Sequence, residues 1–187
     1  LAASILGLVN PGDEVVLIEP VYDSYLPLVR LAGGIPRLVR LEPPDWRLPR
    51  AALAAVMGQR TKLLILNSPM NPTGKVLQAD ELAYLAGLLA RHDALAICDE
   101  VYEHLVFDGA KSVPLMTLPG MQERVVRIGS AGKTFSMTGW KVGYVTAPPG
   151  LLSPIANAHQ FLVFTTPPHS QHAVAGGLAL GDDYFAG

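Results

Sequence analysis

The chain runs repeatedly through a short apolar stretch that stops at polar or aromatic residues, then through a longer stretch with apolar residues at helical spacing. Leu63 to Leu66 ends in Asn67-Ser68-Pro69-Met70-Asn71-Pro72-Thr73-Gly74-Lys75, Ala96-Ile97-Cys98 in Asp99-Glu100-Val101-Tyr102-Glu103, and Leu17-Ile18 in Glu19-Pro20-Val21-Tyr22-Asp23-Ser24-Tyr25. Short apolar runs bounded by turn formers suit strands buried on both faces. Strands separated by helices suit a parallel sheet, whose neighbours need crossover connections. The spacing predicts helices over residues 1–8, 23–31, 50–57 and 79–91 and a long one after Pro148-Pro149-Gly150, with strands over 14–19, 37–41, 63–66, 95–98, 125–129 and 142–146. The expected class is α/β: a three-layer, mostly parallel sheet with helices on both faces, in one domain over residues 1–187. Ligands of such sheets collect beyond the carboxyl ends of the strands, so the polar groups that close each apolar run are expected to share one crevice.

A fourth segment, Ser130-Ala131-Gly132-Lys133-Thr134-Phe135-Ser136-Met137-Thr138-Gly139-Trp140-Lys141, sets one lysine among small, turn-forming residues and follows it with a second. An amine held in a dry pocket can lose its proton near neutral pH, and only the neutral amine condenses with an aldehyde to a Schiff base. Lys133 is therefore a candidate covalent anchor. An aldehyde cofactor with a pyridine ring and a phosphate requires an anion for the ring nitrogen, donors for its oxygens and an aromatic platform. The other three segments contain groups of each kind.

These four segments, in this order, resemble the large domain of the fold-type I pyridoxal-phosphate aminotransferases of class I/II. The lysine segment, with Ala158-His159-Gln160-Phe161-Leu162-Val163-Phe164 further on, is most similar to the kynurenine, glutamine and methionine aminotransferase branch. The resemblance implies pyridoxal 5'-phosphate as cofactor and Lys133 as the internal aldimine lysine, whose freed amine then moves a proton between the substrate α-carbon and the cofactor. It implies that Asp99 pairs with the pyridine nitrogen, that Tyr102 and Asn71 donate to the phenolic oxygen, and that Tyr22 lies over the ring. Lys133, Asp99 and Tyr102 form the implied catalytic set. Ser130 and Lys141 would bind the phosphate, the hydroxyl as a donor and the ammonium as a point charge; many relatives carry arginine at the second of these positions. His159, Gln160 and Phe164 would lie at the start of a long helix near a neighbouring subunit's site, with a packing role equally open. Lys75 reads as a solvated surface lysine.

The activity so implied is transfer of an amino group from an L-amino acid to a 2-oxo acid by a homodimer. A carbon-sulfur β-lyase would use the same lysine, aspartate and tyrosine and differ in what leaves after α-proton abstraction. A ring-forming synthase, or a cofactor-sensing module of a larger regulator, are further readings. Similar enzymes carry a phosphate-cradling glycine-rich turn before this stretch and a smaller domain, with an arginine for the substrate carboxylate, beyond it. The chain is thus expected to be an interior portion of such an enzyme, truncated at both ends, and at most a weak cofactor binder by itself.

Composition narrows the partners. With 14 lysines and arginines against 16 aspartates and glutamates, scattered without a basic stripe, nucleic acid is not an expected partner. No apolar run approaches the roughly 20 residues of a membrane span. The one cysteine, Cys98, lies in an apolar run and reads as a buried hydrophobe, with neither a metal cluster nor a disulfide in view. That agrees with a reducing, cytoplasmic setting.

Overall fold

The computed structural model describes residues 1–185 and gathers them around a six-stranded sheet. In chain order the main elements are α1 (Ala2–Leu8), β1 (Glu14–Glu19), α2 (Tyr25–Leu31), β2 (Ile35–Arg40), α3 (Arg50–Val56), β3 (Thr61–Asn67), α4 (Ala79–Arg91), β4 (Leu95–Asp99), β5 (Val125–Ser130), α5 (Ala131–Thr134), β6 (Gly143–Thr146), α6 (Pro149–Val163) and α7 (Pro168–Leu178). The strands lie in the order β2-β1-β3-β4-β5-β6, parallel except for β6, which runs antiparallel along β5 at one edge. Each expected strand is present near its expected bounds. The helix α7 is the further helical run expected shortly before residue 182, and the short helix α5 is an addition that apolar spacing did not indicate.

Alternation along the central strands feeds two cores, one on each face of the sheet. Leu64 and Leu66 of β3 and Cys98 of β4 join Leu53 of α3 and Leu82, Leu85 and Leu89 of α4. Leu63 and Ile65 of β3 and Ile97 of β4 join Ile5 and Leu8 of α1, Tyr25 and Val29 of α2, and Ile155 of α6. Each such leucine or isoleucine contributes about 1.5–3 kcal/mol by leaving water. Burial on both faces is why these strands read as unbroken apolar runs, and it makes the expected three layers real. Among the described residues no helix is long and apolar enough to cross a membrane.

The same alternation sets the direction of the last residue in each strand. Asn67 follows Ile65 by two positions and Asp99 follows Ile97 by two, and the register pairs Asn67 with Asp99. Both side chains therefore emerge on the α1, α2 and α6 face, at the carboxyl end of the sheet.

Candidate active site

The carboxyl ends of β3, β4 and β5 open on a cavity of about 430 Å³. Its wall includes Tyr22, Asn71, Asp99, Tyr102, Ser130, Lys133 and Lys141, so every residue expected to meet a cofactor is brought to one place. They arrive from four separate strand ends, as a parallel sheet dictates.

Asp99 is the most constrained of them. Its Oδ2 accepts a 2.7 Å hydrogen bond from the Tyr25 hydroxyl, which reaches over from the first turn of α2. Its Oδ1 is buried and has no hydrogen-bond partner among the described residues. An unpaired buried acceptor costs about 1–3 kcal/mol, so this oxygen suits a donor from outside the chain. Burial pushes the Asp99 carboxyl above its ordinary range, with the Tyr25 hydrogen bond pulling the other way. Burial and the neighbouring Asp99 charge push the Tyr25 phenol far upward, so Tyr25 stays protonated and remains a donor. A protonated pyridine nitrogen fits what Asp99 lacks, because it brings both a donor and a positive charge.

Asn67 ties the neighbouring turn to this centre. Its amide donates to the Asp99 carbonyl at 2.8 Å, and its own carbonyl oxygen accepts the Asn71 backbone amide at 2.7 Å. Neither Tyr25 nor Asn67 was assigned a role from the sequence. The available signal was positional: Asn67 is the last residue of an apolar run, and Tyr25 stands one helical turn after Tyr22. Tyr22 is 41% exposed and is met edge-on by the Tyr25 ring, 5.6 Å between centroids.

Lys133 sits in α5, a single turn that starts directly from the end of β5. Ser130 is the N-cap of that turn, with extended backbone and no side-chain capping bond, so its hydroxyl is left for the cavity. Gly132 is closely packed: a Cβ there would sit 3.1 Å from the Thr138 Cα, which would have to give by a few tenths of an ångström, while Thr138 donates its hydroxyl to the Gly132 carbonyl at 2.9 Å. The Lys133 Nζ lies 5.5 Å from the centroid of the Tyr102 ring, within cation-π range. Lys133 is nevertheless exposed, so the dry surroundings expected of an anchoring amine are not supplied by the described residues alone. Lys141 occupies the left-handed region at φ 54°, a strained backbone of order 1–3 kcal/mol for a residue with a side chain.

Two expectations need correction. Lys75 is no surface lysine: its Nζ pairs with Glu81 Oε2 at 2.9 Å, and the two side chains are 8% and 9% exposed. The turn after β3 folds Lys75 back beside the first turn of α4, where Glu81 also accepts the backbone amides of Leu48 and Gln78, each at 2.9 Å. Burial raises the Glu81 carboxyl, but the bonds from Gln78, Lys75 and Leu48 outweigh it and leave the group below its usual range. His159, Gln160 and Phe164, in turn, lie at the end of α6 and not at the start of a helix, since Pro149 opens α6 at a position where a missing amide costs nothing. His159 lines a second cavity with Tyr144 and Gln171, and Phe164 is 75% exposed. Cys98 is buried in the core, as its apolar neighbours indicated, and burial pushes its thiol up.

Over residues 1–184 the sequence matches the family model described as aminotransferase class I and II. It is 44% identical over 204 residues to a kynurenine-oxoglutarate transaminase of Dictyostelium discoideum, covering 99% of this chain and 47% of that protein. It is 46% identical over 188 residues to a probable N-succinyldiaminopimelate aminotransferase of Mycobacterium tuberculosis, covering 100% of this chain and 47% of that one. The chain thus spans about half the length of the curated relatives it matches. It superposes on the crystal structure of YbdL from Escherichia coli, described as a methionine aminotransferase, with a TM-score of 0.95 at 40% identity, over 99% of this chain and 49% of that one. On the M. tuberculosis N-succinyldiaminopimelate aminotransferase structure the TM-score is 0.96 at 46% identity, over 99% and 49% of the two chains. Enzymes of this kind depend on pyridoxal 5'-phosphate, the group whose ring nitrogen the free oxygen of Asp99 suits. Sequence and superposition agree over nearly the whole length: the chain belongs to the aminotransferase class I and II family.

Proposed function

We propose that residues 1–187 are the greater part of the cofactor-binding large domain of a pyridoxal-phosphate-dependent aminotransferase, which moves an amino group from an L-amino acid to a 2-oxo acid. One observation carries the reading: a buried aspartate oxygen without a partner among the described residues stands in the wall of the cavity that also receives Lys133.

The bound cofactor supplies an aldehyde for capture of amines and a ring that draws electrons from the substrate α-carbon. Asp99 Oδ1 would accept a hydrogen bond from the protonated ring nitrogen, while Tyr25 fixes the other carboxylate oxygen and so the plane of the group. Asp99, whose ionised form burial disfavours, would be held ionised by pairing with that positive ring. Tyr102 and Asn71 donate to the ring oxygen, and Asn67 holds the backbone of Asn71 for that purpose. Ser130 and Lys141 hold the phosphate, and Tyr22 covers the ring. Lys133 would anchor the cofactor, and its amine, when free, would hold and move the proton of the substrate α-carbon. The Tyr102 ring steadies that amine when it carries the proton.

The assembly is a cytoplasmic homodimer. The exposed apolar end of α6, where Phe161 is 87% and Phe164 75% exposed, supports an interface, and the lone buried cysteine agrees with a reducing compartment. The test is to add pyridoxal phosphate, reduce with borohydride and map the modified lysine by mass spectrometry, with amino-group transfer assayed alongside. Labelling at Lys133 and transfer that depends on a 2-oxo acid acceptor is the expected result. Labelling elsewhere would sink the site assignment, and ammonia release without an acceptor would select the β-lyase reading.

A further inference from the structure

Tyr102 is the third residue of a turn, Glu100-Val101-Tyr102-Glu103, closed by a 3.0 Å hydrogen bond from the Glu103 amide to the Glu100 carbonyl. The turn is attached to β5 at three points. The Glu100 amide donates to the Ile128 carbonyl at 3.0 Å, the Arg127 Nε pairs with Glu100 at 2.5 Å, and the Arg127 Nη2 pairs with Glu103. One guanidinium therefore grips both ends of the four-residue turn that aims Tyr102 into the cavity.

The grip is itself walled in. Tyr144 of β6 pairs in register with Gly129, and its ring lies where a Cβ on Gly129 would have to be, so a glycine at 129 lets the ring fold toward this cluster. Burial and the Glu103 charge raise the Tyr144 phenol. Arg127 and Glu103 are less than a fifth exposed and Glu100 is 6% exposed. A buried ion triad is a poor way to gain stability, since apolar residues of similar volume do as well. What a fork-shaped cation between two fixed carboxylates does specify is geometry.

We infer that Arg127 is a positioning residue for the reaction: by clamping Glu100 and Glu103 it holds the turn that delivers the Tyr102 hydroxyl to the bound cofactor. The inference rests on the role proposed above for Tyr102. A hydroxyl donated to the ring oxygen favours its ionised form and so lowers the pH midpoint at which the visible band of the holoenzyme titrates. Loosening the clamp relaxes that bond without removing the hydroxyl.

The experiment is a spectroscopic pH titration of the holoenzyme in four forms: unaltered, Tyr102→Phe, Arg127→Met and the double variant. Tyr102→Phe moves the midpoint up by about one pH unit. Arg127→Met moves it the same way by about half as much, and the double variant titrates like Tyr102→Phe alone, because both act through one hydroxyl. Arg127→Lys, which keeps a charge but loses the fork, gives a smaller upward shift and decides the matter if the methionine variant yields no folded holoenzyme. In the cofactor-free protein, amide exchange across residues 101–105 quickens in both Arg127 variants. A midpoint unchanged in the Arg127 variants beside a shifted Tyr102→Phe overturns the clamp and leaves the functional reading standing. A midpoint unchanged in Tyr102→Phe overturns that reading and the clamp with it.

Discussion

Asp99 and Glu100 are adjacent in the chain, both are buried, and burial pushes both carboxyls upward. Their surroundings differ. Glu100 turns toward Arg127 and is closed off by a guanidinium, while Asp99 turns toward the α2 face, where a neutral tyrosine satisfies one oxygen and nothing among the described residues satisfies the other. Glu81, with Lys75 and two backbone amides on its oxygens, is closed in the same manner as Glu100. A carboxylate that serves architecture is neutralised from within the chain. The one proposed to serve a ligand, Asp99, is left with an open oxygen, whose burial costs about 1–3 kcal/mol.

The sharpest test of that contrast removes the group expected to bring the ligand in. Lys133→Ala should abolish borohydride-dependent labelling and slow amino-group transfer by about 10²–10⁴-fold or more, with the urea midpoint of the cofactor-free protein unchanged. Equal activity in Lys133→Ala would leave the open aspartate without a purpose. Next comes a closed carboxylate: Lys75→Ala strands Glu81 in the interior and should cost about 3–5 kcal/mol in denaturant unfolding. The double variant Lys75→Met with Glu81→Leu should recover most of that loss, and a double variant no better than the single would mean that the ion pair is not what matters.

A smaller effect belongs to the neutral support. Tyr25→Phe removes a hydrogen bond to a charged group, of about 1.5–3 kcal/mol, and should weaken cofactor affinity by about tenfold, read as a dissociation constant by absorbance titration. Unchanged affinity would reduce Tyr25 to a packing residue. The smallest is a pH effect on the cofactor-free protein. Asp99 binds its proton more tightly folded than unfolded, so its share of stability is present below the ordinary value of 3.8 and is lost as pH rises through the raised folded value. Asp99→Asn should therefore flatten the decline in urea midpoint from about pH 4 upward. Glu81 works in the opposite sense, since its folded value is lowered and its contribution is lost as pH falls. An unaltered profile in Asp99→Asn would show that its burial is not felt.

Much of this was legible from residues alone. The apolar runs of β1, β3 and β4 are uninterrupted because both faces of each strand are covered, and that same fact makes their polar ends conspicuous. The cavity-lining positions were those the family resemblance implied, and they meet because a parallel sheet points its strand ends one way. Lys75 was misread because charge and exposure usually go together, and only the fold of the Asn71 turn brings Lys75 beside Glu81. His159, Gln160 and Phe164 were placed at the wrong end of a helix by the family resemblance, although Pro148 and Pro149 mark where α6 begins. The turn α5 is too short to carry a periodic signal, although it bears Lys133, the proposed anchor.

Sequence by itself determined the sheet, the order of its helices and the set of side chains at the strand ends, because apolar periodicity and turn chemistry are local properties. Tertiary structure alone decided which carboxylate is open and which are closed. Tyr25 and Asp99 are 74 positions apart and Arg127 and Glu100 are 27 apart. Such partners meet only when helices and strands have packed, so the electrostatics of this site is a property of the fold and not of any segment within it.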